Sequence, residues 1–181
     1  MMCSKNRNLI LKLVSVLFAV LTLVGCQTMS KIGKVIADPD IQVGGPLEQP
    51  STAQISLLAE PNINKNENGQ PSPIELKLVY LREDSKLLSA YYEQLSLEEL
   101  SDVLGKNYIT HQDYTLLPSQ FKALPQIKLN EENNYLGVIA YYSDSGETEW
   151  KKIVKLKGIG YKYHILVHVK ENEVDIRKDE E

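Results

Sequence analysis

The stretch Ile74-Glu75-Leu76-Lys77-Leu78-Val79-Tyr80-Leu81 decides the reading of the fold. Ile74, Leu76, Leu78 and Tyr80 recur at every second position, the period at which side chains of a strand return to one face. The same kind of signal returns in 54–60 (QISLLAE), 135–142 (YLGVIAYY), 149–156 (EWKKIVKL) and 161–169 (YKYHILVHV). Asp144-Ser145-Gly146 and Gly158-Ile159-Gly160 separate the later ones, as turn sequences do. Weaker candidates lie at 107–112, 114–117 and 126–129. Consecutive strands with short turns and no helices between them predict a mainly all-β domain, a two-sheet antiparallel β-sandwich.

One segment breaks the strand period, at about 84–105. Ser96 and Glu99 have capping-box spacing, Leu95 and Leu100 occupy staple positions, and Leu97, Leu100, Val103 and Leu104 share a helical face that Gly105 ends. Upstream, Leu87, Leu88, Tyr91, Tyr92 and Leu95 repeat at helical spacing after Asp84. The spacing predicts a small helical insert packed on the sandwich, with Tyr91 and Tyr92 as packing residues rather than a ligand platform.

The chain has another grammar at its start. Lys5, Arg7 and Lys12 precede the apolar run Leu13 to Leu23, a charged head and short greasy stretch that reads as a bacterial export signal. The run is short against the roughly 20 apolar residues of a membrane span. It closes on Leu23-Val24-Gly25-Cys26, which resembles the lipobox of bacterial lipoproteins. That resemblance implies removal of residues 1–25, a lipid on the Cys26 thiol and, with Gln27 in place of Asp, transport to the outer membrane. The cut removes three positive charges and no negative ones, so the formal balance moves from −4 to −7. Residues 26–53 carry Pro39, Gly44, Gly45, Pro46 and Pro50 and read as a lipidated flexible tether reaching roughly 25 to 30 Å. The domain proper is expected over 54–176, followed by a charged tail at 177–181.

A mildly acidic chain without a basic block argues against nucleic acid, because phosphate binding needs clustered Lys and Arg. Both cysteines, Cys3 and Cys26, lie near the N-terminus, which leaves the body no disulfide and no thiolate chemistry. His164 and His168 have the spacing of a helical zinc pair, but on a strand residues four apart lie roughly 13 Å apart, too far for one metal. Asn64, Asn66, Asn68, Gly69 and Glu75 imitate a calcium loop with one charged ligand and two disruptive prolines, Pro71 and Pro73. With no serine elbow and only His111, His164 and His168 as imidazoles, no catalytic set assembles, and neither an enzyme nor a cofactor is expected.

The loop 61–73 (PNINKNENGQPSP) far exceeds the two residues that close a tight hairpin. Its four asparagines can present amides while its prolines limit the ordering cost on docking. Asn62, Asn64, Asn66, Asn68, Gly69, Gln70, Pro71 and Pro73 are therefore the candidate partner-binding residues.

Taken in order, the lipobox, residues 66–82 (NENGQPSPIELKLVYLR), Leu104-Gly105-Lys106-Asn107, Tyr135-Leu136-Gly137-Val138-Ile139-Ala140-Tyr141 and Trp150-Lys151 resemble the TssJ (VasD, SciN) lipoproteins of the bacterial type VI secretion system. Tyr80-Leu81-Arg82 departs from the Tyr-Gln-Leu usual there, and the Leu87 to Tyr92 segment replaces a common Phe. The resemblance implies a transthyretin-like sandwich, lipid-anchored at the periplasmic face of the outer membrane. Its implied partner is the periplasmic domain of TssM, within a complex that also contains TssL. The alternative is an unrelated outer-membrane lipoprotein that binds an envelope ligand or peptidoglycan, which needs a concave pocket with convergent polar groups.

Overall fold

The computed structural model describes residues 49–181. The strands are β1 (Thr52–Ala59), β2 (Ile74–Leu81), β3 (Tyr108–Leu116), β4 (Phe121–Ala123), β5 (Ile127–Lys128), β6 (Tyr135–Tyr141), β7 (Lys151–Lys155), β8 (Lys162–Val169) and β9 (Val174–Glu180). Three short α-helices, α1 (Ser85–Ser89), α2 (Tyr92–Leu97) and α3 (Leu100–Leu104), and a 3-10 turn at Gly105–Asn107 stand between β2 and β3. One sheet runs β4-β1-β8-β9, with β5 also on β1; the other runs β3-β2-β6-β7. The architecture is the two-sheet sandwich that the alternating pattern predicts.

Burial follows the alternation. Ala53, Ile55, Leu57 and Ala59 of β1 meet Ile74, Leu76, Leu78 and Tyr80 of β2 and Tyr163, Ile165, Val167 and Val169 of β8 in the core between the sheets. Lys162, His164, Leu166 and His168 occupy the other face of β8. Three expectations are corrected. First, the sheets are not wholly antiparallel, because β1 and β8 run parallel over eight paired positions. Parallel neighbours need a long crossover, and the entire second sheet lies between them in sequence. Second, residues 177–180 are not a solvated tail: Arg177 pairs with Leu166, Asp179 with His164 and Glu180 with Tyr163. All four side chains are charged and mostly exposed, but their backbone completes an edge strand whose start Val174 and Ile176 pin in the core.

The third correction concerns Ser96, which caps nothing. It lies inside α2, where its hydroxyl donates to Tyr92 O at 2.8 Å, and the backbone leaves the helix at Glu98 and Glu99. The reason is geometric. Leu95 and Leu100 are both buried, but five residues of continuous helix would turn them about 140° apart. Breaking the helix lets both point inward and leaves Leu97 in solvent, 85% exposed.

Helices of five or six residues are not stable alone, so packing must hold them. A second apolar cluster does so, placing Leu87, Leu95, Leu100 and Leu104 over Val79, Leu81 and Ile139 on the outer face of β2 and β6. Gly137 makes room for it: a Cβ there would lie 2.4 Å from Leu87 Cδ2. The Lys151 ammonium donates to Leu87 O, Leu88 O and Ala90 O at 2.7 to 3.0 Å, closing the carbonyl end of α1 beside the Trp150 ring. Two sequence signatures, the Leu-Gly-Val strand and the Trp-Lys pair, thus have one physical purpose, to seat the insert.

Candidate partner-binding surface

The β1–β2 loop emerges at the same pole as the β6–β7 and β8–β9 connections. Gln49 lies at the opposite pole, where its carbonyl accepts from Gly160 N. Within the loop Ile63 is fully buried and acts as its anchor. Beyond it the chain folds on itself: Asn66 Oδ1 accepts from Asn68 N and Gln70 N, each at 3.0 Å, and Gly69 N donates to Asn66 O at 2.8 Å. Gly69 supplies the positive φ of 72° that this turn requires.

The structure separates the four asparagines. Asn64 is only 7% exposed, with φ 46°, and both ends of its amide are bonded. Nδ2 donates to Pro73 O at 2.6 Å, Oδ1 accepts from Ser143 N at 2.6 Å, and its carbonyl accepts from Ser72 Oγ. It is a staple of the loop, buried and bonded to the elements beneath it. Asn66 organises the turn. Asn62, Asn68 and Gln70 are exposed, and their side chains make no hydrogen bond among the described residues. Pro71 and Pro73 flank them, also exposed.

Lys65 pairs with Glu171 at 2.5 Å, which ties the loop to the β8–β9 turn. A shallow polar cleft of about 390 Å³ lies between these connections, walled by Lys65, Glu67, Asp144 and Glu171. Tyr142 stands at its base, its hydroxyl donating to Lys170 O at 2.9 Å. Burial, and then Glu173 and Glu60, push that phenol far above its ordinary pKa, so it stays a donor. Burial likewise raises Tyr92, against a hydrogen bond with Ser96 that lowers it. The Tyr92 hydroxyl donates to Tyr142 O at 2.8 Å while its ring packs on Trp150 and Tyr141, which bears out the packing reading for Tyr92. Tyr91 is 75% exposed.

The sequence decoys do not converge. His164 is exposed on the outer face of β8, and His168 Nε2 lies 3.1 Å from Glu60 Oε1. His111 Nδ1 meets the Tyr108 hydroxyl at 2.7 Å. Asn64 and Asn66 spend the oxygens that a calcium loop would use. Sequence reasoning missed Ser143 and the Lys65–Glu171 tie, because no local pattern announces a contact between residues 79 or 106 positions apart. Cys26 and the tether up to residue 48 lie outside the described residues.

Among curated proteins, none matches the chain significantly by sequence. Solved structures do. The T6SS lipoprotein TssJ1 from Pseudomonas aeruginosa superposes with a TM-score of 0.67 at 25% identity, over 72% of this chain and 97% of that one. Lip of Serratia marcescens, a membrane bound component of the type VI secretion system, gives 0.61 at 23% identity, over 72% and 98%. A chain from a structure described as the TssM C-terminal domain (869–1107) from EAEC gives 0.56 at 19% identity, over 70% and 97%. The last two carry the fold alone. The family T6SS-SciN, described as type VI secretion lipoprotein, VasD, EvfM, TssJ, VC_A0113, matches residues 51–172, about two thirds of the 181-residue sequence. The chain therefore belongs to the TssJ/VasD family of type VI secretion lipoproteins, a structural family rather than an enzymatic one.

Proposed function

We propose that the protein anchors the type VI secretion membrane complex to the periplasmic face of the outer membrane through a lipid on Cys26. Its β1–β2 loop docks the periplasmic domain of TssM, in a complex that also holds TssL. The observation that carries this reading is the division of labour in the loop. Ile63 and Asn64 fix it from below, while Asn62, Asn68 and Gln70 stand out with unspent amides. A pre-ordered loop loses little entropy on docking, and free amides outside a dry core can change partners at small cost. The polarity of the domain supports it too: Gln49 lies at the pole opposite the loop, so the loop faces away from the point where the tether joins. The acidic body is not itself held by anionic head groups, and the lipid must supply retention.

Photo-crosslinking in cells tests the docking. A crosslinker at Asn68 should capture TssM, and one at Leu97 on the insert should not; capture at Leu97 alone would move the interface to the helices. Cys26→Ser should lose palmitate labelling and outer-membrane recovery together, and continued recovery of an unlabelled protein would remove the anchor from the account.

A further inference from the structure

The peptide group between Tyr142 and Ser143 is held from both ends by elements that belong to different parts of the fold. Its carbonyl oxygen accepts from the Tyr92 hydroxyl of α2 at 2.8 Å, and its N–H donates to Asn64 Oδ1 of the loop at 2.6 Å. A peptide is planar, so tilting it to follow one partner moves the atom that holds the other. The Asn64 amide is a second rigid plane, passing the contact on from Oδ1 to Nδ2 and so to Pro73 O at 2.6 Å. Tyr92, the 142–143 peptide, Asn64 and Pro73 form one line of donors and acceptors through two amides. Each member polarises the next in such a line. At its far end lies the loop, and at its near end an insert of three short helices that rests on one cluster, two tyrosine hydroxyls and a lysine.

We propose that the helical insert sets the conformation of the 61–73 loop through this peptide, with Tyr92 as a positioning residue for the loop. An insert displaced by a neighbour in a larger assembly would then loosen the loop, and a docked loop would firm the insert, since coupling of this kind is reciprocal. Its bearing on partner affinity rests on the loop being the docking element; the coupling itself does not.

The test uses the mature lipoprotein in detergent micelles. Tyr92→Phe keeps the ring against Trp150 and Tyr141 and deletes only the hydroxyl. Amide exchange across 62–72 should accelerate at least about threefold, and the Kd for the purified TssM periplasmic domain should rise, by a smaller factor as long as the ordered loop remains the major state. Leu97→Ala, which trims an exposed side chain of the same helix, should leave the loop unchanged. If Tyr92→Phe does not fold, the reverse direction decides: Asn64→Ala should accelerate exchange in 92–97. Loop exchange in Tyr92→Phe that stays at the wild-type rate, or equal acceleration in Leu97→Ala, overturns the proposal. Accelerated loop exchange with a nearly unchanged Kd supports the coupling, which does not itself depend on docking.

Discussion

Asn64 ties the β1–β2 loop to Pro73 and Ser143, and replacing it should cost stability in proportion to those bonds. Asn64→Ala deletes the donor to Pro73 O and the acceptor for Ser143 N, both at 2.6 Å and partly buried. Each lost bond is worth about 1 kcal/mol net, with more at stake where the abandoned partner stays dry. The residue also sits at φ 46°, a left-handed conformation that asparagine tolerates better than alanine, which adds up to about 1 kcal/mol. Together these give about 3 kcal/mol, or a fall in Tm of about 10 °C for a domain of this size. Asn64→Gly loses the same two bonds without the backbone term and should cost about 2 kcal/mol. Urea and thermal melts of residues 46–181, which form a compact unit, would measure both. An Asn64→Ala change below about 0.5 kcal/mol would mean that the loop is not stapled at this point. A glycine variant no better than the alanine would remove the backbone contribution.

Leu87→Ala should cost about 2 to 5 kcal/mol and Gly137→Ala about 1 to 3, by cavity and by overpacking. The double variant should cost clearly less than their sum, because the new Cβ enters the space that Leu87 leaves; strict additivity in denaturant melts would deny the contact. Leu100→Ala should cost about 2 to 5 kcal/mol while Ser96→Ala stays within about 0.5, and a Ser96 effect near 1 kcal/mol would restore the helix cap that the backbone contradicts. Burial raises the Tyr80, Tyr141 and Tyr142 phenols above their ordinary value of 10.0, so the folded chain keeps protons that the unfolded chain releases. Their contribution is full below about pH 10 and lost as pH rises beyond it, so stability should fall through that range. A flat stability profile from pH 9 to 11 would contradict the burial.

The sheet core was legible because its alternation is strict: β1 and β8 bury every second residue, and no other period fits them. The insert was legible as helical but not in its breaks, since the leucine spacing that marks Leu95 and Leu100 as buried fits a kinked path as well as a straight one. The parallel pairing of β1 with β8 has no local signature at all. β9 was hidden by its charges: an edge strand with one solvated face can alternate Lys, Asp and Glu, and composition then reads as tail. In the loop, residue type marked the right segment but could not tell a stapled asparagine from a free one. That distinction depends on Ser143, which only the fold brings to Asn64.

Whether the free amides of the loop hold TssM can be read by calorimetry with the purified TssM periplasmic domain and a variant carrying Asn62→Ser, Asn68→Ser and Gln70→Ser, with Asn64 and Asn66 left to keep the loop folded. The Kd should be at least about tenfold weaker, or about 1.4 kcal/mol, with Tm essentially unchanged because the three side chains are exposed. An unchanged Kd in a variant of unchanged Tm would contradict it.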